Sequence, residues 1–216
     1  MIRYVTEFIG TFFLVLTVGL VVLLEPALGA VAIGSALMVM VYMGGHISGG
    51  HYNPAVSLAA GLAGKLAKRE LLPYWLSQLA GAVAAALAVR VILGRTFAPA
   101  PGPEASATAA LIVEVLFTFA LCLVVLNTAM HPKTQGNSYY GLAIGFTVLV
   151  GAIAGGSISG GAFNPAVGVG PILVQAVAGE GGFAHLLLYI VGPLVGGFLA
   201  AVVFRYQESS EGTSRD

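Results

Sequence analysis

Asn53 and Asn164 are the residues whose type and setting best suit them to chemistry, and that chemistry is hydrogen bonding. They sit in "ISGGHYNPAV", which begins at Ile47, and "ISGGAFNPAV", which begins at Ile158. Eight of the ten positions agree, and the two asparagines lie 111 positions apart. Asn is a preferred helix N-cap, and the proline that follows suits the first helical position, where its missing N–H would have had no partner. Asn53-Pro54-Ala55 and Asn164-Pro165-Ala166 therefore each predict an abrupt helix start after a Gly-rich, non-helical strand. The side-chain oxygen can cap the helix, which leaves the NH₂ free to donate into a lumen. Apolar sequence continues only to about Gly64 and Gln175, roughly 18 Å of helix and little more than half a bilayer core.

Other candidates are few. Glu7 and Glu114 are ionisable residues inside apolar runs, a combination that marks a functional or anchoring position. His46 and His51 are five apart and do not share a helix face, so packing and a pore-edge position fit them better than a metal. The single cysteine, Cys122, rules out an internal disulfide, and no Cys/His cluster suggests structural zinc. No nucleophile–base set is evident, so an enzyme is not expected, and no cofactor is implied.

These residues need elements that hold them at membrane depth. The chain is 58% hydrophobic and 8% charged, against roughly 25% charged in a typical soluble domain. So little charge could not wet an exterior, and the surface must face lipid. A net charge of zero argues against nucleic acid. Six stretches are long enough to span: about Val5–Leu24, Ala30–Gly45, Leu71–Leu93, Ala107–Leu126, Tyr139–Gly155 and Phe183–Phe204. With the N-terminus inside, seven of nine basic residues fall inside and only Arg90 and Arg95 outside, the direction of the positive-inside rule. Three spans separate the two short helices, so they enter from opposite faces. The expected fold is an all-α membrane protein: six transmembrane helices plus two re-entrant half-helices in an inverted repeat. One domain should cover 1–216, with a first repeat at about 1–95, a second at about 107–206 and a disordered tail at 207–216.

The two boxes, "GHISGGHYNPAV" and the acidic residues in "TEFIGTFFLV" and "VEVLFTFALC" together resemble the aquaporin family, the major intrinsic proteins, over nearly the whole chain. The resemblance implies a right-handed bundle, a homotetramer and one pore per subunit for water and small uncharged solutes. It implies that Glu7 and Glu114 anchor the re-entrant loops. It also implies that Gly49, Gly50, His51, Tyr52, Gly160 and Ala162 turn backbone carbonyls to the pore. Location in the cell (plasma or inner) membrane follows, with both termini cytoplasmic. Two positive helix ends meeting at the midplane repel cations.

One departure is informative. The second box usually continues with arginine, and here that position is Val167. The same alignment puts the remaining filter positions at Ile33, Ala152 and Gly161, so the expected filter is wide and uncharged. That points to solutes larger than water, glycerol-like molecules or metalloid hydroxides such as arsenite. Urea, ammonia and hydrogen peroxide stay open, as does replacement of the missing charge by Arg90 or Arg95. A secondary active transporter is the alternative, because inverted repeats and broken helices occur there too.

Overall fold

In the computed structural model, six helices among the described residues are long and apolar enough to cross a membrane. The structure describes residues 1–213, and side chains as far as Ser210. In chain order the helices are α1 (Ile2–Leu24), α2 (Gly29–Ser48), the short α3 (Pro54–Leu62), α4 (Leu71–Leu93), α5 (Ala107–Val125), α6 (Tyr140–Ser159), the short α7 (Pro165–Val177) and α8 (Leu186–Thr213). No strand occurs among the described residues.

The two halves pack alike. Helix α1 lies along α4 as α5 lies along α8, and α2 meets α6 between the halves. Each short helix rests on the last span of the other half, α3 on α8 and α7 on α4. Helices α2 and α6 approach closely at Gly34 and Gly145. A Cβ on Gly34 would stand 2.7 Å from the Gly145 carbonyl oxygen, and one on Gly145 would stand 2.5 Å from that of Gly34. Small residues permit this backbone contact, which lipid-embedded helices use in place of a hydrophobic drive. Large apolar side chains such as Val91, Ile153 and Leu187 stay exposed on the outside of the bundle, the surface a bilayer would cover.

Three helix C-termini run past the ends read from the sequence. Helices α2 and α6 run past the glycine pairs Gly44-Gly45 and Gly155-Gly156, to Ser48 and Ser159. Each stops at a second pair, where Gly49 (φ 94°) and Gly160 (φ 87°) take the left-handed conformation that lets a helix end without Cβ strain. Of the first pairs, Gly44, Gly45 and Gly155 face close neighbours and Gly156 faces the cavity, while the second pairs terminate the helices. Helix α8 continues through 207–213, where a disordered tail was expected, and residues 214–216 lie outside the described residues. Lys65 ties this extension down by an ion pair with Glu208 at 2.7 Å.

Candidate functional site: a cavity at the meeting of two half-helices

Asn53 and Asn164 cap α3 and α7 as their residue type predicts. Each is extended (φ −156° and −161°) and accepts from the N–H two residues on, Ala55 at 2.8 Å and Ala166 at 2.9 Å. Those bonds fix the amide orientations. The NH₂ groups then cross between repeats: Asn53 donates to the Phe163 carbonyl and Asn164 to the Tyr52 carbonyl, both at 2.9 Å. One N–H of each is therefore spent on the opposite loop, and one remains. Sequence reasoning had left the whole NH₂ to the lumen.

The loops before the caps carry the strain that makes this possible. Tyr52 and Phe163 both have φ 48°, a left-handed conformation unusual for bulky residues. Two buried carboxylates hold them there. Glu7 Oε1 accepts from Ser48 Oγ (2.6 Å) and His51 N (3.0 Å), while Oε2 accepts from Tyr52 N and Gln78 Nε2, both at 2.7 Å. Glu114 repeats the pattern with Ser159 Oγ (2.8 Å), Ala162 N (3.0 Å) and Phe163 N (2.7 Å). It has no counterpart to Gln78, because Pro193 occupies the equivalent place on α8. Tyr74 and Tyr189 complete the match, donating their hydroxyls to the carbonyls of Ser48 and Ser159.

A cavity of about 270 Å³ runs beside the two caps, large against the roughly 30 Å³ one water occupies in the liquid. Ile33, Ala152, Gly161 and Val167 all line it, although they come from four different segments. Its polar side chains among the described residues are His51, Asn53 and Asn164, and no charged side chain reaches it. Gly50, His51, Gly160 and Ala162 of the expected carbonyl positions also line it, and Gly49 and Tyr52 do not. The Tyr52 carbonyl is instead the acceptor for Asn164.

Arg90 and Arg95 stay outside the cavity. Arg90 faces Glu180 at 3.7 Å, and Arg95 donates to the Leu23 carbonyl at 2.9 Å. Loop residues 97–100 instead form part of a neighbouring vestibule of about 320 Å³ that shares Val18, Val22, Gly156, Gly160, Gly161 and Val167 with the cavity. Thr96 anchors this loop, donating its N–H (3.1 Å) and Oγ1 (2.6 Å) to Glu180 Oε2.

Ser48, Ser159, Tyr74, Tyr189 and Gln78 were not singled out from sequence. The serines stood in plain view inside the repeated "ISGG". The tyrosines sit in a sparser repeat, Leu-Leu-x-Tyr-x4-Leu-x-Gly from Leu71 and from Leu186, at a different offset from the asparagine boxes, and Gln78 has no counterpart in it.

Comparison with known proteins agrees with this architecture. Residues 1–204 match the family model described as Major intrinsic protein. The chain is 36% identical over 209 residues to Aquaporin NIP1-1 of Zea mays, covering 92% of this chain and 72% of that protein. It is 40% identical over 192 residues to Aquaporin-8 of Notomys alexis, covering 85% of this chain and 70% of the relative. The aquaglyceroporin from Plasmodium falciparum superposes with a TM-score of 0.78 at 24% identity, over 95% of this chain and 94% of that one. With six spans, two asparagine-capped half-helices interlocked across an inverted repeat, and a family match over nearly the full length, this chain belongs to the major intrinsic protein family.

Proposed function

We propose that this multi-pass membrane protein is a passive channel for water and small uncharged solutes, and that its filter admits molecules larger than water. One observation carries the reading: a cavity bounded by Ile33, Ala152, Gly161 and Val167, with no charged side chain among its described lining residues. Broken helices at membrane depth are tolerated where they line a watery cavity. The remaining N–H of each asparagine offers a donor to a passing oxygen, so a water there points its lone pairs at the caps and its hydrogens away. That opposes a continuous proton wire, and the two helix N-termini oppose cations.

Uncharged polyhydroxy molecules suit such a lining, glycerol-like solutes or metalloid hydroxides such as arsenite. Ile33, Ala152, Gly161 and Val167 serve as the filter, and Gly50, His51, Gly160 and Ala162 as the carbonyl ladder. The channel works as a homotetramer in the plasma or inner membrane, with both termini cytoplasmic.

Stopped-flow light scattering on proteoliposomes tests this with water, glycerol, urea and arsenite. Flux of at least one solute besides water should exceed that of empty vesicles and rise nearly linearly with concentration. Accumulation against a gradient, driven by protons or sodium, identifies a secondary transporter instead.

A further inference from the structure

The inverted repeat is broken at one buried cluster. In the first half His51, Ser57 and Gln78 are hydrogen-bonded together, and the equivalent places in the second half hold Ala162, Gly168 and Pro193. We propose that Ser57 and Gln78 are positioning residues that fix His51 as its Nδ1–H tautomer, leaving Nε2 as a side-chain acceptor on the cavity wall. The functional part of this inference rests on the channel reading above.

The assignment is a count of protons. Gln78 Nε2 lies 2.7 Å from Glu7 Oε2 and 2.9 Å from Ser57 Oγ. Glu7 Oε2 accepts from the Gln78 amide, which turns its NH₂ toward the carboxyl, and the second N–H then points at Ser57. Gln78 Oε1 is left buried with no partner, a cost the cluster bears to present both hydrogens. Ser57 Oγ also lies 3.2 Å from the Asn53 carbonyl oxygen, which can only accept. The single Ser57 hydrogen goes there. Its lone pairs then take one hydrogen from Gln78 and one from His51 Nδ1 at 3.0 Å. The other tautomer would need the Ser57 hydrogen for His51 and would lose the bond to Asn53. All three contacts are hydrogen bonds only if Nδ1 carries the proton.

That leaves Nε2 with a lone pair. His51 is only 5% exposed, yet Nε2 has no hydrogen-bond partner among the described residues and is not sealed from space, and His51 lines the cavity. Asn53 and Asn164 turn donors to the same cavity while their amide oxygens are engaged by the caps, so among the described lining residues His51 supplies the side-chain acceptor left over. A permeant hydroxyl can then donate to Nε2 on the α3 side of the caps. Ala162 offers nothing comparable on the α7 side. The lining is chemically polarised along its length, which favours solutes that carry both donors and acceptors.

Nitrogen-15 NMR of histidine-labelled protein in detergent tests the tautomer directly, with the His51 signal assigned by its loss in His51→Gln. The expected spectrum shows protonated Nδ1 and unprotonated Nε2 in the wild type. Ser57→Ala should move the population toward Nε2–H, and Ser57→Thr, which keeps the hydroxyl, should restore the wild-type pattern. In vesicles of equal protein content, Ser57→Ala should lower the glycerol-to-water permeability ratio about two- to fivefold, in line with a modest hydrogen bond of about 1 kcal/mol or less. An Nε2–H signal in the wild type overturns the assignment outright. A tautomer unchanged in a folded Ser57→Ala variant removes Ser57 and Gln78 from the role. The spectra do not depend on transport, so failure of the channel reading would show separately, as absent flux from a protein with the expected tautomer.

Discussion

Tyr52 and Phe163 hold the same left-handed conformation, φ 48° each, and each joins three things at once. The N–H of each meets a buried carboxylate, its carbonyl meets the asparagine of the other half, and its chain leads directly into a capped helix. Non-glycine residues in this region cost on the order of 1–3 kcal/mol and persist only where the surroundings over-determine them. Here a bond to a buried carboxyl and a cross-repeat bond do so.

Asn53→Ala and Asn164→Ala should each remove a cap and a cross-repeat bond together. A lost cap costs about 1 kcal/mol and a lost neutral hydrogen bond about as much again. Thermal unfolding in detergent should shift downward for both, and water flux per folded channel should fall. Wild-type values of both quantities in both variants would contradict the geometry.

Glu7→Ala should damage folding more than Glu114→Ala, because it strands four donors where the other strands three. Each orphaned buried donor costs roughly 1–3 kcal/mol. Folded yield by size-exclusion chromatography should rank wild type first, Glu114→Ala next and Glu7→Ala last. Equal yields would mean that Gln78 contributes nothing to Glu7.

Val167→Arg should narrow the cavity and give it a cationic wall. Water is small and can accept from a guanidinium, so its flux should persist. Flux of glycerol-sized solutes should fall about tenfold or more, a little over 1 kcal/mol of added barrier. The readout is the ratio of solute to water permeability. An unchanged ratio removes position 167 from the filter.

Glu180 sets a pH dependence. Its two bonds from Thr96, and secondarily Arg90, hold its carboxyl below the ordinary value of 4.5. A depressed folded-state pKa contributes stability that is present above the unfolded value and lost as pH falls through the folded one. The tether on the vestibule loop should therefore persist at neutral pH and loosen below 4.5. Hydrogen exchange at the Thr96 amide should accelerate there relative to neighbouring amides, after correction for intrinsic rates. Glu180→Gln should abolish that acid-specific change.

The parts most legible in the sequence were those with a strict local cause. Asn-Pro writes a cap, and twenty apolar residues write a span. Glu7 and Glu114 stood out because charge is rare in such runs. The network around them was less legible because the offset between the halves drifts with loop length. Glu7 and Glu114 are 107 positions apart, Asn53 and Asn164 are 111, and Tyr74 and Tyr189 are 115. No single shift of the sequence against itself brings all three pairs into register, although space does. The length of α2 and α6 was misjudged for a different reason. A glycine pair that lets a neighbour approach looks the same in sequence as one that ends a helix, and only the packing of Gly45 against Tyr140 and the left-handed φ of Gly49 tell them apart.

The crossed bonds from Asn53 and Asn164 also bear on the order of biosynthesis. When the ribosome has released the first half, Asn53 has its own helix to cap but no Phe163 carbonyl to meet, since that carbonyl lies 110 positions ahead. Its acceptor does not exist until the second loop is made and inserted. The first re-entrant segment must therefore wait at the membrane with a donor unanswered and the seat on α8 vacant. Neither half can reach its final form alone, and a chain stopped after its third span is left with a half-helix that has nowhere to rest.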